Sequence, residues 1–195
     1  IVKGESAEEG GKKPNMYGFN ASFGSIVSIH VRPDFIYDVI TNMKADILHS
    51  HYTVVQKLTV SKIVNEVLSI LESFSTHDLL KKCPPQVIIL GLPGIVDVKT
   101  RCLVYSPHIS EPHQNSPIAE MIEKKMTIEN ISVSCECTNR LQAFAEMKKG
   151  FALGVNNFMI LDAMKEGLGS GIVINGSLRH GVQSLSGEVG HMIIL

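Results

Sequence analysis

The chain has 195 residues, 44% of them hydrophobic and 19% charged, with a formal net charge of −1. That composition is globular rather than disordered, and the length supports one large domain or two small lobes around a real core. The near-zero charge leaves no electrostatic footprint for nucleic acid, and no apolar run approaches the roughly 20 residues of a membrane span, so a cytoplasmic protein without membrane contact is expected.

Residues 1 to about 15 are polar and turn-rich, with Gly4, Gly10, Gly11 and Pro14 among Glu5, Glu8, Glu9, Lys12 and Lys13. Segment 1–24 therefore reads as a linker or frayed tail. From Ser25 the pattern turns to strands at Ile26–Val31, Phe35–Ile40 and Asp46–Tyr52. Breaks at Arg32-Pro33-Asp34 and Asn42-Met43-Lys44 predict a three-stranded meander. His49 and His51 alternate along the third strand, so one face takes both, and they read as a solvated face. Val60, Ile63, Val64, Val67, Leu71 and Phe74 recur at helical spacing and predict a helix near 60–75. After Pro84-Pro85, the run Val87–Leu90 has the continuous apolarity of a buried parallel strand. Gly91–Asp97 follows at its carboxyl end, where open α/β sheets gather ligands. Ser116-Pro117 predicts a helix through Lys125 with Ser116 as its cap.

In the second half, Ile131–Cys135 reads as a strand that opens a helix at Thr138, with Thr138 as N-cap and Leu141, Phe144 and Ala145 on the helix. The four cysteines are Cys83, Cys102, Cys135 and Cys137. The Cys135-Glu136-Cys137 spacing is unusual for structural zinc, so all four read as reduced thiols. Phe158–Leu161 and Ile172–Ile174 are apolar runs of strand length. Between them, Gly167, Gly169 and Gly171 predict a loop whose backbone comes close to another group. Asn175-Gly176 predicts a tight hairpin turn. Gly187-Glu188-Val189-Gly190-His191 then sets a carboxylate and an imidazole three residues apart, flanked by small residues.

The ordered series of strand, GxGxG, strand, Asn-Gly and GExGH resembles the signature of the ROK family, the sugar kinases and sugar-responsive repressors with an actin-like ATPase (ribonuclease-H-like) fold. Pro93–Asp97, Ser106–Ile109 and Glu136–Glu146 match it as well, so the resemblance spans roughly residues 26–195. It implies an α/β chain with a first lobe at 25–130 and part of a second lobe at 131–195. It also implies a winged helix-turn-helix outside this chain, ahead of residues 1–24. A sugar or sugar phosphate would be held by Glu188, His191, Gly94, Asp97, His108, Cys137 and Thr138, beside the glycine loop of Gly167, Gly169 and Gly171. His108 and Cys137 stand where the family's kinases have asparagines, which puts a glucose-like specificity in doubt. His191 in the family also ligates zinc, with three cysteines from a downstream CxCGxxGC segment. No such segment occurs among these residues, so no metal or other cofactor is expected in this chain, and zinc belongs to a longer protein.

The kinase elements depart from the family's pattern. The DxGGT hairpin reads His30-Val31-Arg32-Pro33-Asp34, which loses both glycines and a backbone donor at Pro33. Glu-Asn-Asp reads Glu136-Cys137-Thr138, and a threonine hydroxyl is no proton acceptor at neutral pH. Gly-Thr-Gly reads Lys165-Glu166-Gly167, with a carboxylate where phosphate would sit. The resemblance thus implies a non-enzymatic sugar-sensing domain of a ROK-type repressor with no catalytic residues. It would be a homodimer or homotetramer and reach DNA only through the domain outside this chain. The alternative is a divergent ATP-dependent sugar kinase with Glu136 as base; a scaffold with a vestigial cleft is a third reading.

Overall fold

The computed structural model describes residues 2–5, 15–75, 82–164 and 167–193. Near the start, β1 (Val2–Glu5) pairs antiparallel with β2 (Asn15–Gly18). Segment 1–24, expected as a plain linker, therefore carries a strand pair; most of its glycine- and charge-rich stretch lies outside the described residues.

The meander forms as predicted. Strands β3 (Ser25–Val31), β4 (Phe35–Asn42) and β5 (Ile47–Val54) pair antiparallel in sequence order. Period-two alternation sends Val27, Ile29 and Val31 of β3 and Ile36 and Ile40 of β4 into the core. Helix α1 (Val60–Ser75) adds Ile63, Val64, Val67, Leu71 and Phe74 to the same apolar cluster. Thr59 caps it by accepting from the Lys62 N–H at 3.0 Å, and Glu111 accepts from the Val60 N–H at 2.8 Å.

Strand β6 (Pro85–Leu92) then runs parallel to β3, and its carboxyl end leads through Pro93-Gly94 into a short antiparallel pair, β7 (Ile95–Asp97) with β8 (Cys102–Tyr105). Helix α2 (Ile118–Glu123) buries Ile118, Ala119 and Ile122. It starts one residue later than predicted, with Pro117 in the cap position, while the Ser116 backbone bonds Leu103 in a β-bridge. Strand β9 (Ser132–Cys137) completes a five-stranded sheet of order β5-β4-β3-β6-β9. The sequence division at residue 131 had given β9 to the second lobe; its parallel ladder to β6 puts it in the first sheet.

Helix α3 (Thr138–Lys149) leaves that sheet and leads to a second, three-stranded antiparallel sheet of β10 (Phe158–Met164), β11 (Gly167–Ile174) and β12 (Ser177–Leu178). Asn175 and Gly176 have φ of 54° and 67°, the double positive φ of the predicted hairpin turn. The three alternating glycines are not a loop. They lie within β11, where the same period of two puts Gly169 and Gly171 against α3, while a Cβ at Gly167 would meet nothing within 4 Å. A Cβ at Gly171 would stand 2.4 Å from the Asn139 carbonyl oxygen and 2.7 Å from Ala143 Cβ. The repeat thus lets helix α3 lie flat on the second sheet.

Gly171→Ala is expected to destabilise the chain by about 1–3 kcal/mol, the usual cost of overpacking a tight contact, as read from urea unfolding.

Candidate sugar cleft

The carboxyl ends of β6 and β9 and the start of β11 surround a cleft of about 280 Å³. One wall is the Pro93-Gly94-Ile95 turn with Tyr105, Pro107 and His108. The floor is the β9–α3 junction, Cys137, Thr138 and Asn139; the other wall is Gly167, Leu168 and Gly169 with Glu188, Gly190 and His191. Of the residues singled out in the sequence, Glu188, His191, Gly94, His108, Cys137, Thr138, Gly167 and Gly169 therefore share one cavity.

Local geometry explains several of these placements. Gly94 has φ of 126°, and a Cβ there would meet the Tyr105 carbonyl oxygen at 2.4 Å, so only glycine makes this turn. The Ser170 hydroxyl donates to the Gly187 carbonyl at 2.7 Å and fastens the GExGH segment to β11. Glu188 Oε2 lies 3.9 Å from His191 Nε2. Burial pushes the Glu188 carboxyl above the ordinary range, partly offset by His191 and then Arg140. His108 is held by its backbone N–H, which donates to Ser106 Oγ at 3.2 Å.

Three expectations are corrected. Thr138 is not the cap of α3: Cys137 takes that position with extended backbone, and buried Thr138 is the first helical residue. Asp97 is outside the cleft lining; at the end of β7 it accepts from the Lys99 N–H at 2.9 Å, a turn bond that also holds its carboxyl below the usual range. Gly171 is likewise outside, beneath α3. The CxC thiols both point inward, and burial pushes Cys135 up to about 12 and raises Cys137, so neither is a nucleophile at neutral pH.

Two groups that sequence reasoning passed over organise the cleft's surroundings. Arg140 is 1% exposed. Its Nε donates to Glu136 Oε1 at 2.6 Å, its Nη1 to the Ser184 carbonyl at 3.1 Å and its Nη2 to the Val96 carbonyl at 3.1 Å. Glu136 Oε2 is bonded to His180 Nε2 at 2.8 Å. The one available signal was the four-residue spacing of Glu136 and Arg140 across a helix start. Arg32, in the stretch matching the phosphate hairpin, pairs with Asp162 of β10 at 3.1 Å, and Gln142 Nε2 donates to the same carboxylate oxygen at 3.1 Å. Lys165 and Glu166, the rest of the second phosphate element, lie outside the described residues.

Residues 33–195 match the sequence profile of the ROK family, and the chain belongs to that family. Over 193 residues it is 27% identical to the xylose repressor of Bacillus spizizenii, a match covering 98% of this chain and 48% of the repressor. A ROK family transcriptional regulator, homologue of the E. coli MLC protein, superposes with a TM-score of 0.75 at 21% identity, covering 89% of this chain and 42% of the regulator. A ROK family glucokinase from Streptomyces griseus, in complex with glucose and AMPPNP, superposes with a TM-score of 0.74 at 20% identity, covering 88% of this chain and 51% of the kinase. The fold is the actin-like ATPase fold, with the first lobe and part of the second. The chain spans about half the length of the curated repressors it matches.

Removing the guanidinium strands a partly buried carboxylate and two carbonyls. Arg140→Met is expected to lower the unfolding free energy by about 3–5 kcal/mol, read from urea denaturation; a loss below about 1 kcal/mol would contradict the central role of this residue.

Proposed function

We propose that this chain is the sugar-sensing, effector-binding part of a ROK-type transcriptional repressor and is not a kinase. The observation that carries the reading is the make-up of the cleft. Glu188 and His191, which the family resemblance assigns to sugar hydroxyls, line it together with Thr138, which stands where the kinases keep a carboxylate base. A cleft so furnished can bind hydroxyls and has no proton acceptor at the expected point of attack. The Arg32–Asp162 pair adds to this, since it engages the stretch that in a kinase would face phosphate.

No lysine or arginine lines the cleft among the described residues, so its chemistry favours a neutral sugar over a sugar phosphate. Its volume lies just below the roughly 300–1,000 Å³ of pockets for drug-sized ligands and suits a monosaccharide. Relatives named xylose repressor make D-xylose the first sugar to test. In this reading, bound sugar favours a closed arrangement of the two walls, and the resulting population shift reaches DNA through a part of the repressor beyond this chain. A homo-oligomer in the cytoplasm completes the proposal.

Calorimetric titration with D-xylose, other monosaccharides, sugar phosphates and ATP is the test. A saturable heat with a neutral sugar and none with ATP is expected, and Glu188→Ala should weaken sugar affinity at least about tenfold, the worth of a hydrogen bond to a charged group. An ionised carboxylate is a stronger hydrogen-bond acceptor for hydroxyl groups than a protonated carboxyl, so affinity should fall as pH drops through the raised pKa of Glu188. Stability runs the other way: the raised folded-state value contributes stability at acidic pH that is lost as pH rises through it. Unchanged affinity in Glu188→Ala would sink the assignment, and ATP binding with sugar turnover would replace it with the kinase.

A further inference from the structure

The floor of the sugar cleft carries a polar atom that the fold leaves unmatched. Asn139 follows Thr138 in the first turn of α3 and lines the cleft beside it. Its Oδ1 is shut off from solvent and accepts no hydrogen bond among the described residues. A buried amide oxygen with its bond unmade costs stability, and a half-turn of the carboxamide only exchanges it for an amide nitrogen. The neighbouring floor residues offer a ligand less. Burial raises the Cys137 pKa, so its thiol stays protonated and donates weakly, and Thr138 is 4% exposed. The carboxamide is therefore the strongest hydrogen-bonding group of the floor.

The facing strand keeps room for it. Gly169 of β11 lines the same cleft and is not among the glycines whose positive φ calls for that residue. A Cβ there would collide with the Asn139 carboxamide, 2.6 Å from its Cγ, and its three nearest atoms all belong to that side chain. Gly171 differs, because a Cβ there would meet the Asn139 main chain and Ala143. Glycine at 171 thus serves the fit of the helix, whereas glycine at 169 preserves the position of one polar side chain.

We infer that Asn139 is a sugar-contacting residue whose Oδ1 accepts the proton of one hydroxyl, and that Gly169 holds the space in which the carboxamide does so. The inference rests on the sugar-sensing reading and adds a specificity to it. The ligand is a neutral monosaccharide with a free hydroxyl at the floor, and Glu188 on the wall takes a different hydroxyl of the same ring. A site built to hydrogen-bond a hydroxyl rejects the analogue that lacks it, because the protein's polar group is then left unpaired.

Calorimetric titration with the neutral monosaccharide that gives a saturable heat, D-xylose first, and with its singly deoxygenated analogues tests this. Asn139→Ala should weaken binding of the sugar at least about tenfold. The urea midpoint should stay the same or rise, since the variant loses an unmatched buried acceptor; a purely structural role would lower it. One deoxy analogue should bind the parent chain at least about tenfold more weakly than the sugar itself, and Asn139→Ala should not tell the two apart. Gly169→Ala should weaken binding in the parent chain and cause no further loss in the Asn139→Ala background. Unchanged affinity in Asn139→Ala, with Glu188→Ala weakened, would overturn the inference and leave the sensing reading standing. Additive losses from Asn139→Ala and Gly169→Ala would also overturn it, because the added methyl would then act on the sugar and not on the amide. No saturable heat from any neutral sugar would remove the sensing reading, and this inference with it.

Discussion

The guanidinium of Arg140 lies where three separate stretches of chain meet. It holds the Val96 carbonyl behind one wall of the cleft, the Ser184 carbonyl ahead of the GExGH segment, and Glu136 at the floor. A buried arginine is tolerable only when its donors are matched, and the planar fork can reach several acceptors at fixed angles in a way that lysine cannot. The consequence is that the two walls are registered to each other through a single ion, while Cys137 and Thr138, between Glu136 and Arg140, are presented to the cleft. His180 braces Glu136 from the side of the second sheet. The same charge lies close enough to temper the burial of Glu188.

Around that anchor the fold contributes two further constraints. The glycines of β11 bring α3 against the second sheet, so the β9–α3 junction and the start of β11 face each other across the cleft. The second constraint is the ion pair of Arg32 with Asp162, which ties the β3–β4 turn to β10. Together they shape the cleft proposed to take a sugar, on a scaffold shared with sugar kinases and regulators.

Much of this was legible in the sequence because it depends on local pattern. Alternation in 26–52, helical spacing in 60–75 and the Asn175-Gly176 turn each specify their element without help from elsewhere. Ordered motifs located most of the cleft, since Gly94, Glu188 and His191 bring their own backbone context. What escaped was set by long-range packing. Nothing local distinguishes a buried Arg140 from a surface arginine, because its partners Ser184 and Val96 are 44 residues away on either side. The GxGxG repeat reads as a loop until the helix that needs its bare face is present. His49 and His51 read as a solvated face, and His51 is largely exposed, but a period of two cannot say that α1 lies beside them.

Hydrogen–deuterium exchange of the chain, with and without a saturating neutral sugar chosen by calorimetry, is the decisive measurement for sugar binding in this cleft. Bound sugar should slow exchange in three stretches together, the Gly94 turn, the Cys137–Asn139 junction and the Val189–His191 turn, with the β5 edge unchanged. Protection confined to any other surface, or none in these three stretches at saturation, would contradict it.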